Sequence, residues 1–281
     1  MHRSKLAWAA LLVLARAEAR APSTNAPSVA FFYGSPVPVA ELGRFDWVVV
    51  EPENLKPADL AALHRAGAEV FAYVSLGEAT RGSAEASWTL GHNEAWNSVI
   101  VDPAAEGWRD RIRDRVDALW ERGYRGLFLD TLDSYARTLR GEDARRATAA
   151  MATLVRGIRQ RHPGMKLLLN RGFELLDEVG GIVSGVAAES LLFGWDPAGR
   201  RYVEVPEADR AWLAARLRDV KEQLRIPVIV VDYLPPSRWA EAREAARRIE
   251  EMGFVPWIST PALDVLGVGR ARPSPTASTR D

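Results

Sequence analysis

The sequence contains no cysteine and only four histidines, and its positive and negative charges cancel. Without cysteine the chain can form no disulfide, thiolate zinc site, iron–sulfur cluster, cysteine nucleophile or bacterial lipoprotein anchor. Its 37 basic and 37 acidic residues argue against a nucleic-acid-binding protein, which would carry a basic excess. The phosphate loops GxxxxGK[ST] and GxGxxG, the nucleophile motif GxSxG and the zinc motif HExxH are also missing. Together these absences favour chemistry carried by carboxylates.

The first 21 residues have the three-part layout of a secretory signal peptide. Residues 2–5 are largely basic, residues 6–15 form the apolar run LAWAALLVLA, and A-x-A triplets end at Ala17 and Ala21. The apolar run is too short to span a bilayer comfortably. We expect cleavage after Ala21 and a secreted or periplasmic protein, and an alanine-rich surface helix is the alternative interpretation.

The other end of the chain, residues 267–281, is rich in Pro, Ser, Thr and Arg, which predicts a disordered tail. The residues between these two ends, 22–266, contain no internal repeat and no low-complexity linker. We therefore expect them to form a single domain.

Short, continuous apolar runs alternate with stretches of helical periodicity through that domain. Such runs suit parallel strands that are covered on both faces, and the 108–119 stretch repeats apolar residues every three or four positions, as an amphipathic helix does. Eight β/α units in about 235 residues predict an α/β protein with a (β/α)8 TIM barrel. An open doubly wound sheet is the alternative, but it would more often carry a glycine-rich phosphate loop. The eight runs are 29–34, 47–51, 70–76, 126–130, 166–170, 185–189, 227–233 and 254–259.

A long segment, 79–97, and an extra apolar run, 98–102, stand between the third and fourth units. The segment is rich in Trp, Gly, Asn and His. We interpret it as an elaborated active-site loop.

Polar and mostly acidic residues follow the predicted strands, where the chemistry of a (β/α)8 barrel is located. Any single carboxylate there could be a helix N-cap, but caps do not explain the whole set, because Glu is a poor N-cap. Asp130 and Glu189 are the pair we predict to be catalytic, since two carboxylates on different strands can flank a glycosidic bond. The full set is Tyr33, Glu51, Glu53, Ser75, Glu78, Asp130, Asp133, Asn170, Arg171, Glu189, Asp232 and Tyr233.

Two features of this set have more than one interpretation. Asp133 follows Asp130 by three residues and could contact substrate or simply open the next helix. The acidic cluster could also hold Mg²⁺ or Ca²⁺ in a metal-dependent hydrolase, although no metal is expected. Several aromatic residues could stack on sugar rings: Tyr33, Tyr73, Trp88, Trp96, Tyr135, Trp195, Tyr233 and Trp257.

Six segments give the chain a resemblance to glycoside hydrolase family 114, the endo-α-1,4-polygalactosaminidase-like barrels. The resemblance covers nearly all of residues 29–261, and its most specific part is the DTLDSY segment with a downstream ES. The segments are AYVSLGEA (72–79), GYRGLFLDTLDSY (123–135), LLLNRGFELL (167–176), AAESL (187–191), VIVVDY (228–233) and GFVPWIS (253–259).

The resemblance implies a (β/α)8 barrel that hydrolyses α-1,4 linkages in galactosamine-containing polysaccharides by a retaining mechanism. It also implies Asp130 as the nucleophile and Glu189 as the general acid/base. We expect a monomer without cofactor, with a polysaccharide but no nucleic acid or membrane as partner; a non-catalytic carbohydrate-binding barrel is the alternative. The residues predicted to bind substrate are Tyr33, Glu51, Tyr73, Glu78, Asp133, Tyr135, Asn170, Asp232, Tyr233 and Trp257.

Overall fold

The computed structural model describes residues 26–83 and 85–272. The predicted signal peptide, its cleavage site and residues 273–281 of the predicted tail lie outside the described residues. Among those described, no helix is both long enough and apolar enough to cross a membrane.

Eight parallel strands form a nearly closed barrel, which confirms the (β/α)8 prediction. Each strand pairs with the next in chain order, and the first lies beside the last. The strands are buried on both faces because their apolar runs are continuous rather than alternating. The barrel strands are β1 (Val29–Phe32), β2 (Trp47–Val50), β3 (Glu69–Ser75), β7 (Gly126–Asp130), β8 (Lys166–Asn170), β9 (Gly185–Ala188), β12 (Val228–Tyr233) and β13 (Val255–Ser259).

Helices between the strands cover the outside of the barrel. In the 106–121 helix the buried residues are Trp108, Ile112, Val116 and Leu119, so the periodicity in the sequence marks its inner face. A second apolar cluster fills the space between the last three parallel strands and the last two helices. The helices are α1 (Val39–Leu42), α2 (Pro57–Arg65), α3 (Glu106–Glu121), α4 (Gly141–Arg161), α5 (Leu176–Val179), α6 (Glu207–Leu224) and α7 (Trp239–Glu251).

Two insertions extend the barrel at the ends of its strands. After β3 the chain forms an antiparallel sheet of β4 (Glu78–Thr80), β5 (Thr89–Asn93) and β6 (Ser98–Val101), in the order β4-β6-β5. The segment interpreted as a loop is therefore partly a sheet, and the extra apolar run is its central strand. After β9 the chain forms a hairpin of β10 (Phe193–Asp196) and β11 (Arg201–Glu204), which the sequence patterns did not predict.

The start of the predicted tail is wrong, because residues 267–272 are part of the barrel. Val268 and Gly269 form β14, which pairs antiparallel with β13. Glycine suits this position, since a Cβ on Gly269 would lie 2.8 Å from the ring of Trp257. Arg272 then donates a hydrogen bond of 2.8 Å to the carbonyl oxygen of Ala66. The small and basic residues that suggested disorder thus pack against the barrel.

Candidate active site

A cleft of about 880 Å³ opens where the parallel strands end. Asp130 and Asn170 are the last residues of β7 and β8, and Glu189 directly follows β9. Five acidic residues and two arginines line the cleft. Its volume lies in the upper part of the range of about 300–1,000 Å³ that is typical of ligand pockets.

One amide group joins Asp130 and Glu189 at the centre of the cleft. Asn170 Nδ2 donates hydrogen bonds of 2.8 Å to Asp130 Oδ1 and of 2.8 Å to Glu189 Oε1. The two accepting oxygens therefore lie at most about 5.6 Å apart, twice the bond length, below the spacing of about 6.5–9.5 Å found in inverting glycosidases. Because both partners only accept when ionised, the nitrogen of the amide must face them.

Two tyrosines complete the contacts of this pair. Tyr73 donates a hydrogen bond of 2.9 Å from its hydroxyl group to Asp130 Oδ2. Tyr233 donates one from its hydroxyl group to Glu189 Oε2. Each carboxylate thus receives one bond from Asn170 and one from a tyrosine, which fixes its orientation.

The two carboxyl groups have raised pKa values for the same main reason. Burial raises the pKa of Glu189 to about 7, the negative charge of Asp130 adds to the increase, and the hydrogen bond from Asn170 opposes it. Burial also raises the pKa of Asp130, while hydrogen bonds from Asn170, the Thr131 backbone and Tyr73 counteract the increase. Glu189 can therefore hold and release a proton near neutral pH.

The backbone bends sharply just after two of the three central residues. Thr131 follows Asp130 with φ of 60°, and Arg171 follows Asn170 with φ of 55°. A β-branched residue rarely adopts a positive φ, and Thr131 is held there by its hydroxyl group, which donates to the Asp130 carbonyl oxygen at 2.6 Å and accepts from the Gly77 backbone at 2.8 Å. Such strain is common at functional sites.

Glu51, which follows β2, lines the cleft and forms an acidic pair with Glu53, which does not line it. Burial raises the pKa of Glu51, and the hydrogen bond and the charge of Glu53 add to the increase. Arg115 pairs with Glu53 at 2.9 Å. The Tyr33 and Tyr73 rings meet edge to face beside this pair, with centroids 5.5 Å apart. A protonated Glu51 can donate a hydrogen bond to a ligand hydroxyl group.

Glu78 anchors the first insertion to the barrel. Its side chain is buried and accepts hydrogen bonds from Asn93 Nδ2 at 3.0 Å, from Ser134 Oγ at 2.6 Å and from Ser98 Oγ. The residues it binds belong to β5, to β6 and to the turn after β7. Glu78 therefore lines the cleft but is occupied by protein partners.

The two residues predicted to be catalytic and the ten predicted to bind substrate make twelve, and nine of them line the cleft together. The catalytic and substrate-binding roles of these nine residues stay predictions. The nine are Tyr33, Glu51, Tyr73, Glu78, Asp130, Asp133, Asn170, Glu189 and Tyr233.

Three predicted substrate-binding residues do not line the cleft. Asp232 is fully buried on the other face of β12 from Tyr233, because side chains alternate along a strand. Tyr135 is buried and hydrogen-bonded to Thr148 of α4 at 2.8 Å. Trp257 is fully buried and meets the Phe45 ring edge to face, with centroids 5.5 Å apart. The prediction that these three residues contact substrate is therefore wrong, because their side chains are buried in the protein interior and do not reach the cleft.

The cleft also contains residues that the sequence patterns missed as site residues. Arg137 lies in the short helical turn after β7, and the segment 261–263 follows β13. The unpredicted β10–β11 hairpin contributes a wall that includes Trp195, one of the aromatic residues that could stack on sugar rings. The turn-forming Asp-Pro-Ala-Gly at 196–199 is the one sequence signal that could have indicated this hairpin.

Within the described part of the chain, no group of three or more His, Asp or Glu side chains is placed to hold a metal ion. At the centre of the cleft stands the Asp130–Glu189 pair, held by Asn170. A parallel barrel with an acidic cleft and two closely spaced carboxyl groups at its strand ends is the arrangement of a glycoside hydrolase.

The comparison with family models identifies the group within that class. Residues 12–274 match the model of glycoside-hydrolase family GH114. The chain belongs to glycoside hydrolase family GH114, as its resemblance in sequence predicted.

Two solved structures and one sequence relative are similar to this chain. The glycoside hydrolase domain of PelA from Pseudomonas aeruginosa is 43% identical with a TM-score of 0.82, over 88% of this chain and 100% of that one. Aspergillus fumigatus Ega3, solved in complex with galactosamine, has a TM-score of 0.60 at 15% identity, over 86% and 93% of the two chains, and so shares the fold. An uncharacterised Deinococcus radiodurans protein is 25% identical, over 79% of this chain and 75% of its own length.

Proposed function

We propose that the protein is a secreted, retaining glycosidase that cleaves α-1,4 linkages inside galactosamine-containing polysaccharides. The observation that carries the proposal is the Asn170 amide, which holds the Asp130 and Glu189 oxygens at most about 5.6 Å apart. This upper bound lies below the spacing of about 6.5–9.5 Å that gives an inverting enzyme room for its attacking water, which supports a retaining mechanism. The galactosamine bound to Ega3 supports the substrate class.

In this mechanism Asp130 attacks the anomeric carbon while Glu189 protonates the departing glycosidic oxygen. A covalent glycosyl-enzyme with inverted configuration results. Glu189, now ionised, takes a proton from water, and the water displaces Asp130 with a second inversion. The raised pKa of Glu189, about 7, suits a group that is protonated in the first step and ionised in the second.

Azide rescue tests both roles separately, with an aryl α-glycoside of a galactosamine oligosaccharide as substrate. In Asp130→Gly, azide should replace the missing nucleophile and yield the β-glycosyl azide. In Glu189→Gly, azide should attack the Asp130-linked intermediate and yield the α-glycosyl azide. NMR distinguishes the two anomers.

The outcome also separates the alternatives. Full activity in Asp130→Asn or Glu189→Gln would refute the assignment of the pair. Binding of the polysaccharide without any cleavage by the unmodified protein would favour a non-catalytic carbohydrate-binding barrel. Activity that is lost on exhaustive chelation and restored by a divalent cation would favour a metal-dependent hydrolase instead.

A further inference from the structure

Trp212 has a large apolar side chain, and 50% of its surface is exposed to solvent. It lies on α6, in the second turn of the helix. In a β/α barrel each helix begins at the strand ends where the cleft opens, so Trp212 lies on the side of the mouth. A single exposed apolar residue is ordinary, and its neighbours decide whether it has a role.

Those neighbours connect Trp212 to the cleft. The Phe173 ring meets the indole edge to face, with centroids 6.1 Å apart. The guanidinium group of Arg171 lies 5.9 Å from the indole centroid, and Arg171 also lines the cleft. The exposed indole is therefore continuous with the wall of the active site.

The chain between Asn170 and Phe173 brings these groups together. Arg171 and Gly172 both have left-handed backbone conformations, with φ of 55° and 64°. Two such residues in succession turn the chain sharply at the end of β8, so that one short segment carries Asn170 at the catalytic pair and Phe173 at the indole. A non-glycine residue in this region is uncommon and is often found at functional sites.

The positive charge of Arg171 would favour an N-acetylated amino sugar over one with a free ammonium group. Arg171 forms none of the ion pairs found in the described residues, and its Nε is buried without a hydrogen-bond partner. A guanidinium cation repels an ammonium group and donates hydrogen bonds to a carbonyl oxygen. A flat aromatic face packs against the apolar face of a sugar ring.

We propose that Trp212, Phe173 and Arg171 form a distal sugar-binding platform that holds an N-acetylated hexosamine unit of the same polymer beyond the cleft. The proposal rests on the proposed function for the identity of the polymer. A polysaccharide that passes the catalytic pair and leaves the cleft over Arg171 would then also bind to this platform. Long substrates would therefore bind more tightly than short ones.

The test compares Trp212→Ala with Arg218→Ala, an exposed control on the same helix, using partially N-acetylated galactosamine chains of graded length. Loss of an aromatic face should raise the KM for long chains by about 2–12-fold, leave kcat unchanged and leave short oligosaccharides unaffected. The loss should be larger for N-acetylated than for fully deacetylated chains, and Arg218→Ala should behave as the unmodified protein does.

Binding is measured in parallel in a Glu189→Gln background, by retardation in native gels that contain the polymer. If the unmodified protein binds the polymer but does not cleave it, the proposed function is refuted, and the gel still tests the platform. An unchanged KM and unchanged retardation in Trp212→Ala, or an equal loss on short and long chains, would overturn the platform. A greater loss on fully deacetylated chains would overturn its preference for the acetylated unit.

Discussion

Asn170 is the residue on which the geometry of the Asp130–Glu189 pair, the proposed catalytic pair, depends. Its single amide nitrogen donates both hydrogens, one to each carboxylate. A carboxylate pair this close would otherwise repel when both groups are ionised. The amide therefore stabilises the state with Asp130 charged and sets the distance to Glu189, which neither tyrosine can do, because each contacts only one of the two.

We predict that Asn170→Ala lowers kcat/KM by about 10²–10³, the cost of losing one preorganised donor. In the proposed mechanism Asp130 must be ionised and Glu189 protonated, so activity should fall below the pKa of Asp130 and above that of Glu189, about 7. Loss of a donor to the charged forms raises both pKa values. The pH profile of kcat/KM should therefore move to higher pH.

Asn170→Asp is the matched variant, since it keeps the size of the side chain and replaces the donor by a third carboxyl group. It should reduce kcat/KM at least as strongly and move the profile in the same direction. A profile that stays in place, or moves to lower pH, in both variants would contradict this role for Asn170.

At the scale of elements, Asp232 ties β12 to the segment that follows β9. Its carboxylate accepts hydrogen bonds from the backbone N–H groups of Leu191 at 2.6 Å, Leu192 at 2.8 Å and Phe193 at 3.0 Å. These donors come directly after Glu189 and its cis peptide bond to Ser190. Asp232 thus positions the backbone that follows Glu189, the proposed general acid/base, and the start of the β10–β11 hairpin.

Asp232→Ala should lower the free energy of unfolding by about 2–4 kcal/mol, because it leaves three buried donors without an acceptor. Asp232→Asn keeps one accepting oxygen and should lose less. Denaturant titration measures both, and hydrogen exchange should show faster exchange at 191–193 than elsewhere in the barrel. Equal stability of the two variants and the unmodified protein would contradict a stabilising role for the hydrogen bonds of Asp232 with residues 191–193.

The same element shows what the sequence could predict and what it could not. The eight parallel strands were predictable because strands buried on both faces are continuous apolar runs. That continuity hides the alternation of faces: all six residues of β12 are buried, so nothing in the sequence distinguishes Asp232, which faces away from the cleft, from Tyr233, which faces into it.

The strands of the β10–β11 hairpin were hard to predict for the opposite reason, although the turn at 196–199 has a sequence signal. Its strands are short and partly exposed, with half-buried or exposed residues at most positions of β11. They pair with each other and not with the barrel. A two-stranded ribbon of this kind depends on tertiary contacts, such as the hydrogen bond of 3.0 Å from the backbone N–H group of Phe193 to Asp232 of β12.

Across the whole molecule, a net charge of zero conceals a separation of charge. The cleft contains Glu51, Glu78, Asp130, Asp133 and Glu189 against two arginines, while many other arginines form exposed ion pairs on the helices. Burial and mutual repulsion raise the pKa values of carboxyl groups in the cleft. An ammonium group of a deacetylated sugar would relieve that repulsion.

We therefore predict that kcat/KM for fully deacetylated galactosamine chains falls by about tenfold or more as salt screens the attraction of the cleft for a cationic polymer. N-acetylated chains, which carry no charge, provide the control and should show little change. Steady-state rates over a range of NaCl concentrations measure the effect. The same salt dependence for both polymers would contradict electrostatic attraction by the cleft.

The last described residues determine how the barrel could be tethered. The backbone of Arg272 bonds to the carbonyl oxygen of Arg44, ahead of β2, and its side chain to that of Ala66, ahead of β3. At the other end, Ser28 bonds to Asp46, also ahead of β2. Residues 28 and 272 therefore both lie on the floor of the barrel, opposite the cleft. If a surface or a fused partner were attached near residue 28 or residue 272, the cleft would face away from it. The cleft would then stay accessible to a polymer.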